Sequence, residues 1–292
     1  MSLLPDGASR VSNAVLRVGG IPVGVRLADG TVWEYHKLDG WWSGPPWRDR
    51  VEDRPGADGG FDAPSLASPA TYTIEGTIRA QSRAVAAAGL EALAALTDVV
   101  TLEVDDLDRG YRWCDCRVVG SSQSDAAALG VGVARWQLTL KAADPRKYGP
   151  VQSLVAGLRN PGSGGIGYPL SYPLTYGVEP YGGRVAFTNS GTAPTEPRLT
   201  VTGPLAAGFV VSHAETGRRL SYYHATAGLD LDCYLGTAAE DGQDRTMYLL
   251  TRDWFQVGPG QPATFAFASL GGETYASTPA PQMVVSVAPA YW

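Results

Sequence analysis

The sequence has little charge, little histidine and little cysteine. Charged residues make up 18% of the 292 residues, and there are only three His and three Cys. Ordinary domains are about 25% charged. The formal net charge of −6 lacks the basic excess that neutralises nucleic-acid phosphates. No apolar run is long enough to span a membrane, and the N-terminus has no signal-peptide pattern. We therefore expect neither sequence-specific nucleic-acid binding nor a membrane span.

Motifs that carry chemistry are also scarce. There is no Gly-x-Ser-x-Gly nucleophile elbow, and His213 and His224 lack a third metal ligand at a suitable spacing. Residues 162–167 match the dinucleotide pattern G-x-G-x-x-G. Pro161 before them and Tyr168-Pro169 after them exclude the strand and helix that this pattern needs. We expect no enzyme, no catalytic or metal site and no cofactor.

Two carboxylates leave one alternative open. Asp230 and Asp232 share one face of a strand-like run, and paired carboxylates can hydrolyse glycosidic bonds. One hypothesis is therefore that the protein is a cell-wall hydrolase that uses these two carboxylates. The alternative is that both simply lie on the solvent-exposed outer face of a strand. Cys114 and Cys116 share a strand face in the same way and are predicted to be buried as small hydrophobic residues. This fits folding in a reducing cytoplasm.

Glycine, proline and aromatic residues are abundant instead. The 36 Gly and 21 Pro form about a fifth of the chain, against about 12% in average proteins. Eight Trp and 14 Tyr argue against disorder, because disordered chains contain few aromatic residues. The composition indicates a folded, turn-rich, mainly β protein.

The N-terminal half carries alternating apolar residues typical of strands. The clearest runs are residues 71–79 and 134–142, with further runs at 99–104 and 111–119. Asp29-Gly30 separates two strand-like runs and predicts a hairpin, since both residues tolerate positive φ.

One amphipathic helix is predicted between these strands. Apolar residues recur there at steps of four, three and three, after Ser82 as a candidate N-cap. They are Ala86, Leu90, Leu93 and Leu96.

Residues 39–69 lose this periodicity and are predicted to form a long loop. Loops of that length are usually functional or disordered. Trp41, Trp42 and Trp47 indicate that this one packs onto another surface.

The composition changes again at residues 149–183, which are rich in Gly, Pro and Tyr. Beyond them, short strand-like runs separated by turn residues predict a β-sandwich or barrel. We therefore predict an N-terminal domain at 1–150, a linker at 151–183 and a C-terminal domain at 184–292.

The order of several short motifs resembles one family over nearly the whole chain. Asp58-Gly59-Gly60 ends the Trp-rich loop, and a strand and single helix follow. The later motifs are ADPRKY at 143–148, NSGTAPTEP at 189–197, GLDLD at 228–232, Trp254, Pro259-Gly260 and VAPAYW at 287–292. This order is similar to that of the distal tail (Dit-like) minor tail proteins of siphophages.

The resemblance implies a mainly β fold with two domains. The first would be a tail-tube-like β-sandwich or split barrel with one α-helix, and the second a galectin-like β-sandwich. Six copies would form a ring at the distal end of a long non-contractile tail and link the tail tube to tail-tip or baseplate proteins.

The implied partners are other copies of the chain, the tail tube protein, the tail-tip hub protein and the tape measure protein. The protein would be assembled in the host cytoplasm and reside in the virion tail tip. A passage for DNA should not bind it, which fits the net acidity. A ring interface needs apolar loops. The candidate interface residues are Trp41, Trp42, Trp47, Asp58, Gly59 and Gly60.

The alternative to a purely structural ring protein is a receptor-binding module. In that hypothesis, Trp254 or the Tyr-rich loops contact a host cell-wall glycan. The His, Arg, Asn and Trp set with which galectins bind sugar is not recognisable in residues 185–292, so a galectin-like fold would not by itself imply lectin activity.

Overall fold

A computed structural model describes residues 3–123, 132–159, 182–274 and 276–292. The chain divides into two compact units, Met1–Gly149 with Trp292, and Pro150–Tyr291. The structure differs from the predicted linker at its start, because residues 152–157 form a strand of the second unit. That strand buries only Ala156 and so gives no clear alternation in the sequence. Residues 160–181 of the predicted linker lie outside the described residues.

The N-terminal unit contains short and long strands around one helix. They are β1 (Ser9–Arg10), β2 (Ala14–Val18), β3 (Ile21–Val23), β4 (Val25–Arg26), β5 (Val32–Asp39), β6 (Trp47–Arg48), β7 (Glu52–Asp53), β8 (Gly60–Phe61), β9 (Leu66–Ala67), β10 (Ala70–Arg79), α1 (Arg83–Ala94), β11 (Val99–Asp106), β12 (Gly110–Gln123), β13 (Val133–Ala142) and β14 (Lys147–Tyr148).

The main sheet of this unit has the order β1-β4-β5-β10-β13-β12-β11-β2-β3, and its mapped pairs are antiparallel. Strands β10 and β13 align Tyr72 with Leu140 and Ile74 with Leu138, and all four side chains are buried. The two cleanest alternating patterns of the sequence therefore become adjacent central strands, because each supplies a complete apolar face.

The predicted helix is confirmed as α1. The Ser82 hydroxyl accepts a hydrogen bond from the Val85 N–H, 3.3 Å away, which satisfies one of the free donors of the first turn. Ala86, Leu90 and Leu93 are buried.

Other local predictions have mixed outcomes. Cys114 and Cys116 are both buried and free, as predicted, with their sulfurs 3.3 Å apart. Strand β2 was not predicted. It buries four of its five residues, so its sequence lacks the alternation that marks a half-exposed strand.

The C-terminal unit is built from strands alone, apart from a 3-10 turn at Thr246–Tyr248. The strands are β15 (Gln152–Gly157), β16 (Arg184–Thr188), β17 (Arg198–Leu205), β18 (Phe209–His213), β19 (Arg219–Tyr222), β20 (Thr226–Asp232), β21 (Thr237–Glu240), β22 (Gln243–Asp244), β23 (Leu249–Arg252), β24 (Pro262–Ser269), β25 (Gln282–Val287) and β26 (Ala290–Tyr291).

All of these strands except β26 form two sheets, β15-β25-β17-β20-β21-β22 and β16-β24-β18-β19-β23. Side chains of both sheets share one core, with Val201 and Leu231 from the first and Phe209 and Phe265 from the second. The mainly β prediction with one α-helix is confirmed. Among the described residues, no helix is long and apolar enough to cross a membrane.

Candidate functional site

The segment that follows β5 begins in the core of its own unit. Trp41 is completely buried, and its ring meets that of Tyr72 edge to face, with centroids 5.2 Å apart. Trp41 is therefore a core residue and offers no surface to another subunit. This corrects its prediction as an interface residue, which rested on size and hydrophobicity alone.

Trp42 is half-buried and is held by cations of the same unit. The Arg109 guanidinium lies 4.5 Å from the centre of its ring and that of Arg112 lies 5.7 Å away. Trp41 also meets the Trp42 ring edge to face, with centroids 6.3 Å apart. Cation–π contacts of this kind favour a fixed ring position, so Trp42 anchors the segment to the β11–β12 turn.

The ADPRKY motif fixes the next part of this segment. Lys147 is almost fully buried, and its Nζ donates to the Ser43 carbonyl over 3.2 Å. Burial lowers the pKa of Lys147 below its ordinary value. The Asp144 carboxylate accepts from Arg146 Nε at 2.9 Å and from the Tyr148 hydroxyl at 2.7 Å. The motif thus has a structural role, which the sequence alone did not reveal.

Beyond this anchor, residues 46–69 contain no buried residue. They form a hairpin in which β6 pairs with β9 and β7 pairs with β8, where the sequence predicted a long loop. We call residues 47–67 the arm. Its strands are only two residues long, too short to produce a periodic pattern in the sequence.

The arm exposes large apolar side chains. Trp47 is 54% exposed, Val51 52%, Phe61 59% and Leu66 46%. Trp47 lies at the base of the arm. Its ring contacts that of Trp292, with centroids 5.4 Å apart, and Trp292 belongs to the same unit. Isolated two-stranded hairpins are marginal in water, and contiguous exposed apolar side chains mark interaction surfaces.

The predicted interface residues Asp58, Gly59 and Gly60 lie at the tip of the arm. Gly59 has a φ of +86°, a conformation that glycine adopts without strain, and its carbonyl accepts from the Arg54 N–H over 3.1 Å. Asp58 is exposed. These residues shape the turn, and the adjacent side chains supply the apolar surface.

The described residues contain no group of three His, Cys, Asp or Glu arranged to hold a metal ion.

Asp230 and Asp232 lie on the outer side of β20, as predicted. Asp230 accepts from the Thr200 hydroxyl at 2.6 Å, and Asp232 accepts from the N–H groups of Tyr234 and Leu235. Both carboxylates thus have local structural partners.

Trp254 is partly buried and packs against the core of the C-terminal unit. Its Nε1 would lie 3.3 Å from a Cβ placed on Gly236, and its carbonyl accepts from Arg218 at 3.0 Å. This environment is that of a packing residue with one accessible side.

His213 is buried between Phe255 and Phe265, with ring centroids at 5.9 and 5.4 Å. Its Nδ1 lies 2.7 Å from the Thr216 hydroxyl. Burial lowers the pKa of His213, although Glu215 opposes this. His213 is therefore a buried residue that packs among aromatic side chains.

No protein-family model matches the sequence, and no curated protein matches it. Among solved structures, the chain is similar to the SPP1 Dit (gp 19.1) protein, described as a paradigm of the hub adsorption apparatus in phages that infect Gram-positive bacteria. Identity is 15%, the TM-score is 0.60, and the match covers 94% of this chain and 98% of that one.

A weaker similarity, with a TM-score of 0.49 and 8% identity, links it to the phage P2 baseplate in its activated conformation, over 94% of this chain and 97% of that one. The SPP1 match confirms the mainly β, Dit-like fold that was expected: this chain has the fold of the SPP1 Dit protein.

Proposed function

We propose that this protein is a structural subunit of a phage tail tip. Six copies form a ring at the distal end of a long non-contractile tail and join the tail tube protein to the tail-tip hub protein. The tape measure protein and then DNA pass through its centre. The fold shared with SPP1 Dit supports this role.

The observation that carries the ring proposal is the arm. It exposes Val51, Phe61 and Leu66 and contains no buried residue. The Arg54 guanidinium lies 5.2 Å from the centre of the Phe61 ring but leaves that side chain mostly exposed, so another surface that covers the arm would stabilise it. A second copy that receives the arm creates a head-to-tail contact, and contacts of that kind form a ring when the rotation between neighbours closes. Phe61 and Val51 therefore replace Trp41 as the proposed interface residues.

The proposed role involves no catalysis and no cofactor. The hydrogen bonds of Asp230 and Asp232 within the fold support a structural interpretation of this carboxylate pair. After assembly in the host cytoplasm, the protein resides in the virion.

The test is the solution mass and appearance of the full-length chain, by light scattering and negative-stain microscopy. We expect six 30.8-kDa copies, about 185 kDa, as a ring with a central hole. The double variant Val51→Ser, Phe61→Ser should lower the ring fraction at least tenfold and leave the melting temperature unchanged, because neither side chain is buried.

Leu250→Ser is the control, since it removes an even more exposed apolar side chain from the other unit. It should form rings like the original chain. A trimer, a chain that stays monomeric at high concentration, or normal rings from the arm variant would each contradict the proposal.

A further inference from the structure

Strand β23 lies at an exposed edge of the C-terminal unit. It is the last strand in the order β16-β24-β18-β19-β23, and within the described residues no strand pairs with its other side. Sheet edges that carry apolar side chains are sites where further chains dock.

Leu250 and Met247 are the most exposed large hydrophobic residues of the described chain, at 74% and 72%. The register pairs Leu249 with Tyr222 and Thr251 with Ser221, so Leu250 is the extra residue of a β-bulge. A bulge redirects the side chain at that position. The backbone therefore holds Leu250 in solvent while Leu249 stays in the core.

Arg252 places a positive charge beside these apolar side chains. Its Nε donates to the Leu249 carbonyl at 3.1 Å, and its Nη2 donates to the Met247 carbonyl at 2.9 Å. It forms no ion pair with a carboxylate of the described residues. Two hydrogen bonds fix the guanidinium plane and leave other N–H groups free to donate, which suits recognition of a carboxylate.

Met247, Leu250 and Arg252 together form a surface patch. The residues at its rim are held in place by aromatic and charged contacts. The rings of Tyr248 and His224 meet edge to face at 5.2 Å, and the Arg245 guanidinium lies 5.7 Å from the Tyr248 ring centre. Arg245 is itself paired with Glu240 at 3.2 Å. A patch with a fixed rim loses little conformational entropy when it binds a partner.

We propose that Met247, Leu250 and Arg252 form a docking site for an extended acidic segment of another protein. The segment places a carboxylate against Arg252 and an apolar side chain between Leu250 and Met247. The Arg252 guanidinium, which has no carboxylate partner among the described residues, favours an anionic ligand. The apolar side chains of Leu250 and Met247 favour a protein segment over a sugar. An anionic cell-wall polymer would contact Arg252 and gain nothing from Leu250.

The experiment selects peptides from a random dodecapeptide library on the full-length chain. The expected result is a shared motif with Asp or Glu close to a large apolar residue. A selected peptide is then synthesised with a fluorophore, and its Kd is measured by anisotropy. Leu250→Ser and Arg252→Glu should each weaken binding at least tenfold, about 1.4 kcal/mol. A Lys-for-Glu version of the peptide should bind Arg252→Glu better than the original chain.

The arm variant Val51→Ser, Phe61→Ser is the control and should bind the peptide normally, so that this site and the ring interface succeed or fail separately. Enrichment of no motif, or of motifs without an acidic residue, overturns the proposal. So does a Kd unaffected by Leu250→Ser in a variant whose melting temperature is unchanged. Tighter binding of polyglycerol phosphate than of the peptide, dependent on Arg252 and indifferent to Leu250, would assign the patch to an anionic polymer instead.

Discussion

The side chain of Asn189 accepts a hydrogen bond from the Ala290 N–H, across 101 residues of sequence, with 3.3 Å between Oδ1 and N. The same Oδ1 accepts from the Gly191 N–H at 3.0 Å, and the Nδ2 donates to the carbonyls of Ala193 and Val257 at 2.8 and 3.1 Å. Asn189 is fully buried. One amide thus connects three separate segments of the C-terminal unit.

Replacement of Asn189 by alanine should destabilise the C-terminal unit by about 2–4 kcal/mol, because it leaves several buried backbone groups without partners. The measurement is urea denaturation followed by fluorescence. Asn13→Ala, at an exposed position, is the control and should change the free energy of unfolding by less than about 0.5 kcal/mol. An equal change in the free energy of unfolding for both variants would show that the hydrogen bonds of Asn189 do not stabilise the C-terminal unit.

Gly191→Ala should be at least as damaging, for a steric reason. A Cβ on Gly191 would lie 1.8 Å from the Ala290 carbonyl oxygen, so one of the two segments would have to move. We expect loss of soluble expression or a drop in the melting temperature of the C-terminal unit. At Gly157, nothing lies within 4 Å of an added Cβ, and Gly157→Ala should fold normally. A stable Gly191→Ala protein would show that this close approach tolerates adjustment.

Trp41 and Trp42 should respond differently to substitution. Trp41→Ala removes a fully buried side chain and should lower the free energy of unfolding by about 3–5 kcal/mol. Trp42→Ala loses the contact with Arg109 and should cost about 1 kcal/mol. Denaturant titration of both variants decides this. Similar small losses for both would place Trp41 outside the core that the structure assigns to it.

The stability of the C-terminal unit should fall on mild acidification because of His213. Its pKa in the folded state is below the ordinary value of 6.5, so the unfolded chain binds a proton more readily. Stability is then fully present above pH 6.5 and decreases as the pH falls below it. The Glu215 carboxylate, 3.8 Å from Nε2, opposes the shift, and Arg218 adds to it.

His213→Phe should remove this pH dependence, while His224→Gln, at an exposed position, should keep it. The free energy of unfolding is measured between about pH 8 and pH 5. Although burial raises the pKa of Glu215, hydrogen bonds from Thr264 hold it below its ordinary value of 4.5, so Glu215 contributes only at lower pH. An unchanged slope in His213→Phe would assign the acid sensitivity to other groups.

Much of the fold was predictable because its central elements carry complete patterns. Strands β10 and β13 alternate over ten residues each, and α1 has both a cap and a buried stripe. Strand β2 and the two-residue strands of the arm were missed, because a fully buried strand loses its alternation and a two-residue strand is too short to show one.

The candidate sites were less predictable, since large side chains look alike in a sequence whether they are buried or exposed. Trp41 and Phe61 are both large and apolar, yet one is buried completely and the other is 59% exposed. Leu249 and Leu250 are adjacent and chemically identical. Their places on opposite faces of β23, together with the bulge in the β19–β23 pairing, separate their environments.

By itself, the sequence determined that the chain is mainly β, contains one amphipathic helix and carries motifs in the order of distal tail proteins, and it placed the domain boundary within residues 149–183. Local periodicity and turn chemistry are sufficient for those conclusions. The tertiary structure decided which aromatic residues are core and which are surface, and which side chains reach across the chain. Burial and long-range hydrogen bonding depend on strand register, and register brings together residues such as Asn189 and Ala290 that no local pattern relates.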